Sequence, residues 1–263
     1  MLLALKLALV PGFLAALTMA GRAWGPSVAG WLAGLPVVAG PIVLLLALER
    51  GTAFAAQASA ASIAAIAASE AFNLTYAWTC RTCRWPVALG AGLLAWAVVA
   101  ASLVRLPATL AWSLAAACVA VAVSRAGLPR VAGAVPSARI GVADLVTRMM
   151  AGALLTLAVT TLSASMGAAW SGMLSVFPLL GIVLAVSTQR AHGVGCVALL
   201  MRGMVIGRAS FAAFFAVVAL MLPTLGVLPA FACGAVMSVL VQGATKRLIA
   251  MSRKPNAPLA ALD

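Results

Sequence analysis

The stretch Ala29–Gly51, AGWLAGLPVVAGPIVLLLALERG, is an apolar helix with interruptions built into it. Most of it is hydrocarbon, yet it carries Gly30, Gly34, Pro36, Gly40 and Pro41 and ends on the charged pair Glu49-Arg50. The same plan returns at Ser171–Arg190, SGMLSVFPLLGIVLAVSTQR, where Gly172, Leu174 and Pro178 stand 142 positions after Gly30, Leu32 and Pro36. Proline has no N–H, so Pro36 frees the carbonyl of Leu32 and Pro178 that of Leu174. Bare backbone at membrane depth is tolerated only against protein or a wet cavity. Broken spans at matching places in two halves of a chain point to a transporter's binding site. Glycine and proline also serve tight packing in membrane helices, and either break alone reads that way. Their recurrence brings a binding role level with packing.

Working outward, the chain has 263 residues, 65% of them hydrophobic and only 8% charged. Apolar runs of about 20 residues recur, each enough to cross a hydrocarbon core about 30 Å thick. The fold class is all-α: a polytopic membrane protein of about ten transmembrane helices in two five-helix repeats. The alternating ten-residue segments of a membrane β-barrel are absent. The net charge of +13 is scattered through short loops and gathered in the tail, as expected beside anionic lipid rather than nucleic acid.

The expected spans are 2–21, 27–48, 52–78, 86–104 and 107–124, then 142–163, 168–188, 193–207, 209–222 and 224–243. These give a first repeat over 1–124, a linker over 125–141, a second repeat over 142–245 and a basic cytoplasmic tail over 246–263. Residues 2–21 also read as a secretory signal peptide. Their counterpart in mid-chain favours a retained helix. The uncommon residues that repeat are Lys6/Arg148, Gly25/Gly167, Gly30/Gly172, Pro36/Pro178 and, after a two-residue slip, Glu49-Arg50/Gln189-Arg190. An odd number of spans between equivalent positions inverts the second copy. The basic tail argues for a cytoplasmic C-terminus, but ten spans then leave Arg81, Arg84, Arg125, Arg130 and Arg139 outside. Either the count is off by one near the eighth helix, or the orientation bias is weak.

Lys6, then A-G-x-L-x-x-L-P at 29–36, then E-R-G at 49–51, resembles the GlpM family of small bacterial inner-membrane proteins. The resemblance covers roughly the first hundred residues. The second half departs from it, with Arg148 for the lysine, Gln189 for the glutamate and Ala191 for the glycine. It implies a fused, diverged pair of GlpM-like units in a bacterial inner membrane. The family's association with glycerol metabolism and exopolysaccharide production implies an envelope role more than a reaction. Duplication with inversion is also the plan of drug/metabolite transporters, an analogy of architecture only.

Four acidic side chains occur: Glu49, Glu70, Asp144 and Asp263. Glu70 is the costly one, because an acid deep in a span normally faces a bundle interior or cavity. It is a candidate for substrate binding or proton coupling, or it lies near the headgroups and pairs with Arg81 or Arg84. Ser59, Ser62, Ser69, Asn73 and Tyr76 share one face of the third helix, with Glu70 at its edge. Arg202 either meets Glu70 or an anionic substrate, or marks a misplaced span end. The substrate-binding candidates are therefore Glu70, Ser62, Asn73, Arg202, Pro36, Pro178, Gly30 and Gly172. Candidates for coupling or gating are Glu49, Arg50, Gln189, Arg190, Lys6 and Arg148, of which Lys6 and Arg148 most simply snorkel to the interface. Asp144 and Arg148 have the spacing of an intrahelical ion pair.

Of five cysteines, Cys118, Cys196 and Cys233 read as small packing residues, and Cys80-Arg-Thr-Cys83 is a lone CxxC without a second pair or nearby histidine. No enzyme signature, metal site or cofactor pattern is present in the sequence. The expected function is a secondary transporter or flippase of the bacterial inner membrane. Its substrate would be an anionic or phosphate-bearing metabolite or a lipid-linked envelope precursor. A non-transporting scaffold subunit of an envelope polysaccharide system is the competing reading. The expected partners are membrane lipids and the substrate, and a homodimer is compatible with the sequence.

Overall fold

The computed structural model describes residues 2–106, 109–131, 142–164 and 168–252. Among these residues the chain forms eleven helices and no strand: α1 (Leu2–Trp24), α2 (Pro26–Ala33), α3 (Ala39–Arg50), α4 (Thr52–Thr79), α5 (Trp85–Val104), α6 (Leu110–Gly127), α7 (Val142–Ala164), α8 (Ala168–Ser175), α9 (Leu179–His192), α10 (Val194–Leu225) and α11 (Val227–Ser252). Six stretches are long and apolar enough to cross a membrane: Thr52–Thr79, Trp85–Val104, Leu110–Gly127, Ala169–His192, Val194–Leu225 and Val227–Arg247. The outer helices α5, α6 and α11 expose Leu94, Val98, Val119, Val123, Leu228 and Val239. Such an apolar exterior suits lipid, and the chain is a helical membrane protein.

The centre is α4 packed against α10. Helix α4 is rich in Ala and Ser, so its neighbours approach closely on several sides. Ala55, Ala58, Ala61, Ala65 and Ala68 are each fully buried. Bulk comes instead from Phe72 and Tyr76 at one end and from Phe211, Phe214 and Phe215 on α10. Helix α10 corrects the expected eighth and ninth spans. They are one 32-residue rod, and Arg202 and Arg208 lie within it. Gly207 lets the rod approach the end of α2 closely: an added Cβ would overlap the Trp31 carbonyl oxygen and fall 2.9 Å from Cα of Gly34, the residue after α2. Helix α11 runs to Ser252, so Lys246 and Arg247 belong to a helix and not to the expected tail.

Both expected breaks are present, between α2 and α3 and between α8 and α9. The backbone takes the same course through each. Leu35 N–H donates to Leu32 O at 3.1 Å, and Phe177 N–H to Leu174 O at 3.0 Å. Gly34 donates to Trp31 O at 3.2 Å, and Val176 to Met173 O at 3.2 Å. Gly40 donates to Pro36 O at 2.8 Å, and Ile182 to Pro178 O at 2.7 Å. Each pair of bonds lies 142 positions apart (32 to 174, 36 to 178). These bonds correct the expectation of naked carbonyls: the oxygens freed by Pro36 and Pro178 accept a tighter, 3₁₀-type bond. Trp31 O accepts a further bond, from Gln242 Nε2 at 2.8 Å.

Each broken segment crosses the long helix of the other half. Helix α2 lies on α10 at Gly30, where a Cβ would overlap the Leu200 carbonyl. Helix α8 lies on α4 at Gly172, where a Cβ would overlap the Ala58 carbonyl. These contacts also correspond at a spacing of 142 (30 to 172, 58 to 200). After each broken segment the chain reverses at one glycine of positive φ, Gly51 at 88° and Gly193 at 79°. Gly193 stands 142 positions after Gly51 (51 to 193), so it, not Ala191, plays the part of Gly51 and the expected two-residue slip is corrected; α9 is two residues longer than α3 because it starts earlier.

Candidate functional site

Glu70 sits in α4 and is 1% exposed. Its partner is Arg208 of α10, whose Nε donates to Glu70 Oε1 at 2.8 Å. Asn73, one turn along α4 and fully buried, donates from Nδ2 to the same oxygen at 3.2 Å. A carboxylate only accepts, so the Asn73 amide must turn its NH₂ to Glu70 and leave Oδ1 for the other side. Among the described residues, Asn73 Oδ1 and Glu70 Oε2 find no hydrogen-bond partner. The alternative that Glu70 pairs with Arg81 or Arg84 is thereby corrected; Arg81 stacks over Trp78 instead, 4.8 Å from its ring. Removing two charges from water is costly, and a buried pair is weak evidence for stability as such. Its presence at the centre of an apolar bundle calls for a role.

Beside this pair lies a cavity of about 60 Å³. By the space one water centre needs, it holds roughly four to six non-hydrogen atoms. Its walls bring both breaks together: Leu35, Val38 and Ala39 from the first, Ser175 through Gly181 from the second, with Asn73 and Arg208 between them. Helices α3 and α9 both begin at this wall, at N-caps Val38 and Pro178 that offer no side-chain cap. The positive ends of two half-helices thus flank a guanidinium, a setting that favours an anionic group. On its other side Glu70 borders an apolar groove of about 450 Å³ between α4 and α6, lined by Leu74, Trp112 and Ser124.

The remaining candidates fall in several places. Pro178 lines the cavity. Pro36 shapes the opposite break without lining it. Gly30 and Gly172 are helix-crossing points. Ser62 belongs to the α4–α8 crossing, bonded to Ala58 O, Gly172 O and Ser175 Oγ at 2.8, 3.2 and 2.9 Å. Arg202 is a correction: it donates to Leu128 O at 2.8 Å and Pro129 O at 3.4 Å, tying α10 to the chain after α6, away from Glu70. Gln189 accepts from Tyr76 Oη at 2.7 Å and donates to Cys83 O at 3.3 Å, closing the α4 and α9 ends together. Glu49, Arg50 and Arg190 are exposed, and Arg50 lies over the Phe54 ring. Arg148 is 4% exposed and so does not snorkel. The side chains of Lys6 and Asp144 lie outside the described residues.

Arg208 was not among the expected site residues. The signal for it was available: an arginine within an apolar run needs an acid, and Glu70 was the one acid deep in a span. Among the cysteines, Cys196 is a packing residue as expected, but Cys118 and Cys233 are exposed. Burial pushes the Cys80 thiol up to about 11. The described residues contain no group of side chains able to hold a metal. No family model, no curated protein and no solved structure matches the chain.

Proposed function

We propose that the chain is a secondary transporter of a bacterial inner membrane, built from two GlpM-like halves of opposite topology, that carries an anionic solute. The observation that carries this reading is the meeting of both helix breaks, Asn73 and the Glu70–Arg208 pair around one central cavity. Recurrence of the break hydrogen bonds and of the Gly30 and Gly172 crossings supports two related halves. Each broken pair counts as one crossing, so the eleven helices make nine. Five crossings separate α1 from α7, which turns the second half over.

Nine crossings also suit the distribution of charge. A cytoplasmic C-terminus then places Arg22, Arg81, Arg84, Arg125, Arg130, Arg139, Arg190, Lys246 and Arg247 on the inner side. Only Lys6, Arg50 and Arg105 among the loop and end residues fall outside, as the positive-inside rule favours. Alternating access would rock α4 and α10, each with the broken helix that crosses it, about the fixed site. A scaffold subunit would need no paired charge at its centre. The test is reconstitution of the purified chain in liposomes with flux of labelled anions. Arg208→Gln should abolish flux while leaving a monodisperse protein. Wild-type vesicles no more permeable than protein-free ones would sink the reading.

A further inference from the structure

We infer that the solute is a small hydroxylated oxyanion of about four to six non-hydrogen atoms, carried with one proton that resides on Glu70. This inference rests on the transporter reading above and names its substrate class and coupling.

Size is the first argument. The cavity of about 60 Å³ suits a small solute better than a sugar phosphate or a lipid-linked headgroup. Polarity is the second. Arg208 offers donors to an oxyanion, and the starts of α3 and α9 add positive potential. Asn73 Oδ1 offers the opposite: a buried acceptor, without a partner among the described residues, on the cavity wall and 3.8 Å from where a Cβ on Gly181 would stand. A bound ligand that satisfies both must carry an anionic group and an O–H. Glycolate or dihydrogen phosphate has this chemistry; acetate, nitrate and chloride lack the donor.

Charge balance is the third argument. With Glu70 ionised, Arg208 is neutralised and the site is closed to a second anion. When Glu70 takes a proton from water on one side, its ion pair with Arg208 is lost and the guanidinium is free for the incoming oxyanion. The site's charge is zero both in the empty, ion-paired state and in the loaded, protonated state, so neither of these buries an unpaired charge. On the far side the anion leaves, the proton returns to water and the ion pair re-forms. No covalent bond of the solute changes. Of the elements packed against α4, Arg208 on α10 is the charged group at Glu70. Arg125 on α6 lines a groove on the other side of Arg208. Helix α3 carries Glu49 and Arg50 at its exposed end, beside the start of α4 and far from Glu70, and helices α5 and α8 contain no titratable residue.

The experiment uses the full chain in liposomes holding a pH-sensitive dye, with uptake of labelled glycolate read above that of protein-free vesicles. Glycolate should enter with one proton each and acidify the lumen. Unlabelled acetate, nitrate and glycerol 3-phosphate should compete at least tenfold less well than glycolate. Asn73→Leu should shrink the glycolate-to-acetate ratio to about twofold or less, because it removes the unpaired acceptor. Glu70→Gln should lose lumen acidification and pH-driven accumulation of glycolate. Should that variant not fold, the wild type still decides: glycolate, and not acetate, must raise its unfolding temperature in detergent. Glycolate uptake without acidification, equal competition by acetate, or preference for glycerol 3-phosphate would overturn the inference and leave a transporter standing. Vesicles that move none of these anions would overturn both.

Discussion

The crossings at Gly30 and Gly172 can be tested without a ligand. A methyl group on Gly30 overlaps the Leu200 carbonyl oxygen and stands 3.0 Å from Leu200 C and from Met204 N. On Gly172 it overlaps the Ala58 carbonyl oxygen and stands 2.6 Å from Ala61 Cβ. In both cases the obstacle is mainly the facing backbone, which has no rotamer to change. Gly→Ala must therefore push α2 off α10, or α8 off α4, by on the order of 1 Å. Overpacking of this kind costs about 1–3 kcal/mol, and a backbone obstacle belongs at the upper end. Helix propensity returns up to about 1 kcal/mol. The net loss for either variant is about 2 kcal/mol. Gly90 in α5 has nothing within 4 Å of its missing Cβ and is the control. There the same substitution should be neutral or stabilising by up to about 1 kcal/mol. Equilibrium unfolding in mixed micelles, titrated with a denaturing detergent, measures all three. Gly30→Ala as stable as wild type, a cost at Gly30 without one at Gly172, or a loss at Gly90 of the same size would refute the reasoning.

Three further outcomes are expected. Glu70→Gln and Arg208→Gln should each destabilise by about 3–5 kcal/mol by leaving a buried charge or polar group unmatched, while the double variant recovers most of the loss; additive losses in the same unfolding assay would deny the pair. Thiolate is the reactive form of cysteine, and the Cys80 thiol is raised to about 11, so alkylating reagents at pH 7–8 should mark the partly exposed Cys83 and spare Cys80, read by mass spectrometry of the labelled peptide. Single cysteines placed at Arg84 and Arg139 should react with impermeant reagents only in inside-out vesicles, and one at Arg105 only in right-side-out ones; reaction of all three from one face would exclude nine crossings.

The sequence revealed the breaks because proline acts locally: removing an N–H disrupts a helix whatever surrounds it. It also revealed the shared polar face of α4, since Ser59, Ser62, Ser69, Asn73 and Tyr76 are all fully buried. What it hid depends on tertiary contacts. Arg202 and Arg208 lower local hydropathy, so α10 read as two short spans with charged ends. In the fold one arginine is held by carbonyls and the other by Glu70, and the rod continues. Repeat spacing did not identify the partner of Glu70 either, because the ion pair has no equivalent in the other half. Ile66 and Ala212 stand at the corresponding positions (208 to 66, 70 to 212). The ion pair therefore joins one residue from each part of the chain and has no counterpart at the 142-residue spacing.

Gly51 and Gly193 each join two helices through a single residue. Such a join leaves no slack. When a long rod tilts, the half-helix before it is dragged along like the short arm of a lever, and the mouth of the break changes width at once. Lengthening either corner by a few flexible residues would uncouple the arm from the rod. Stability would be nearly untouched, while in the proposed transporter the two sides of the membrane would lose their timing.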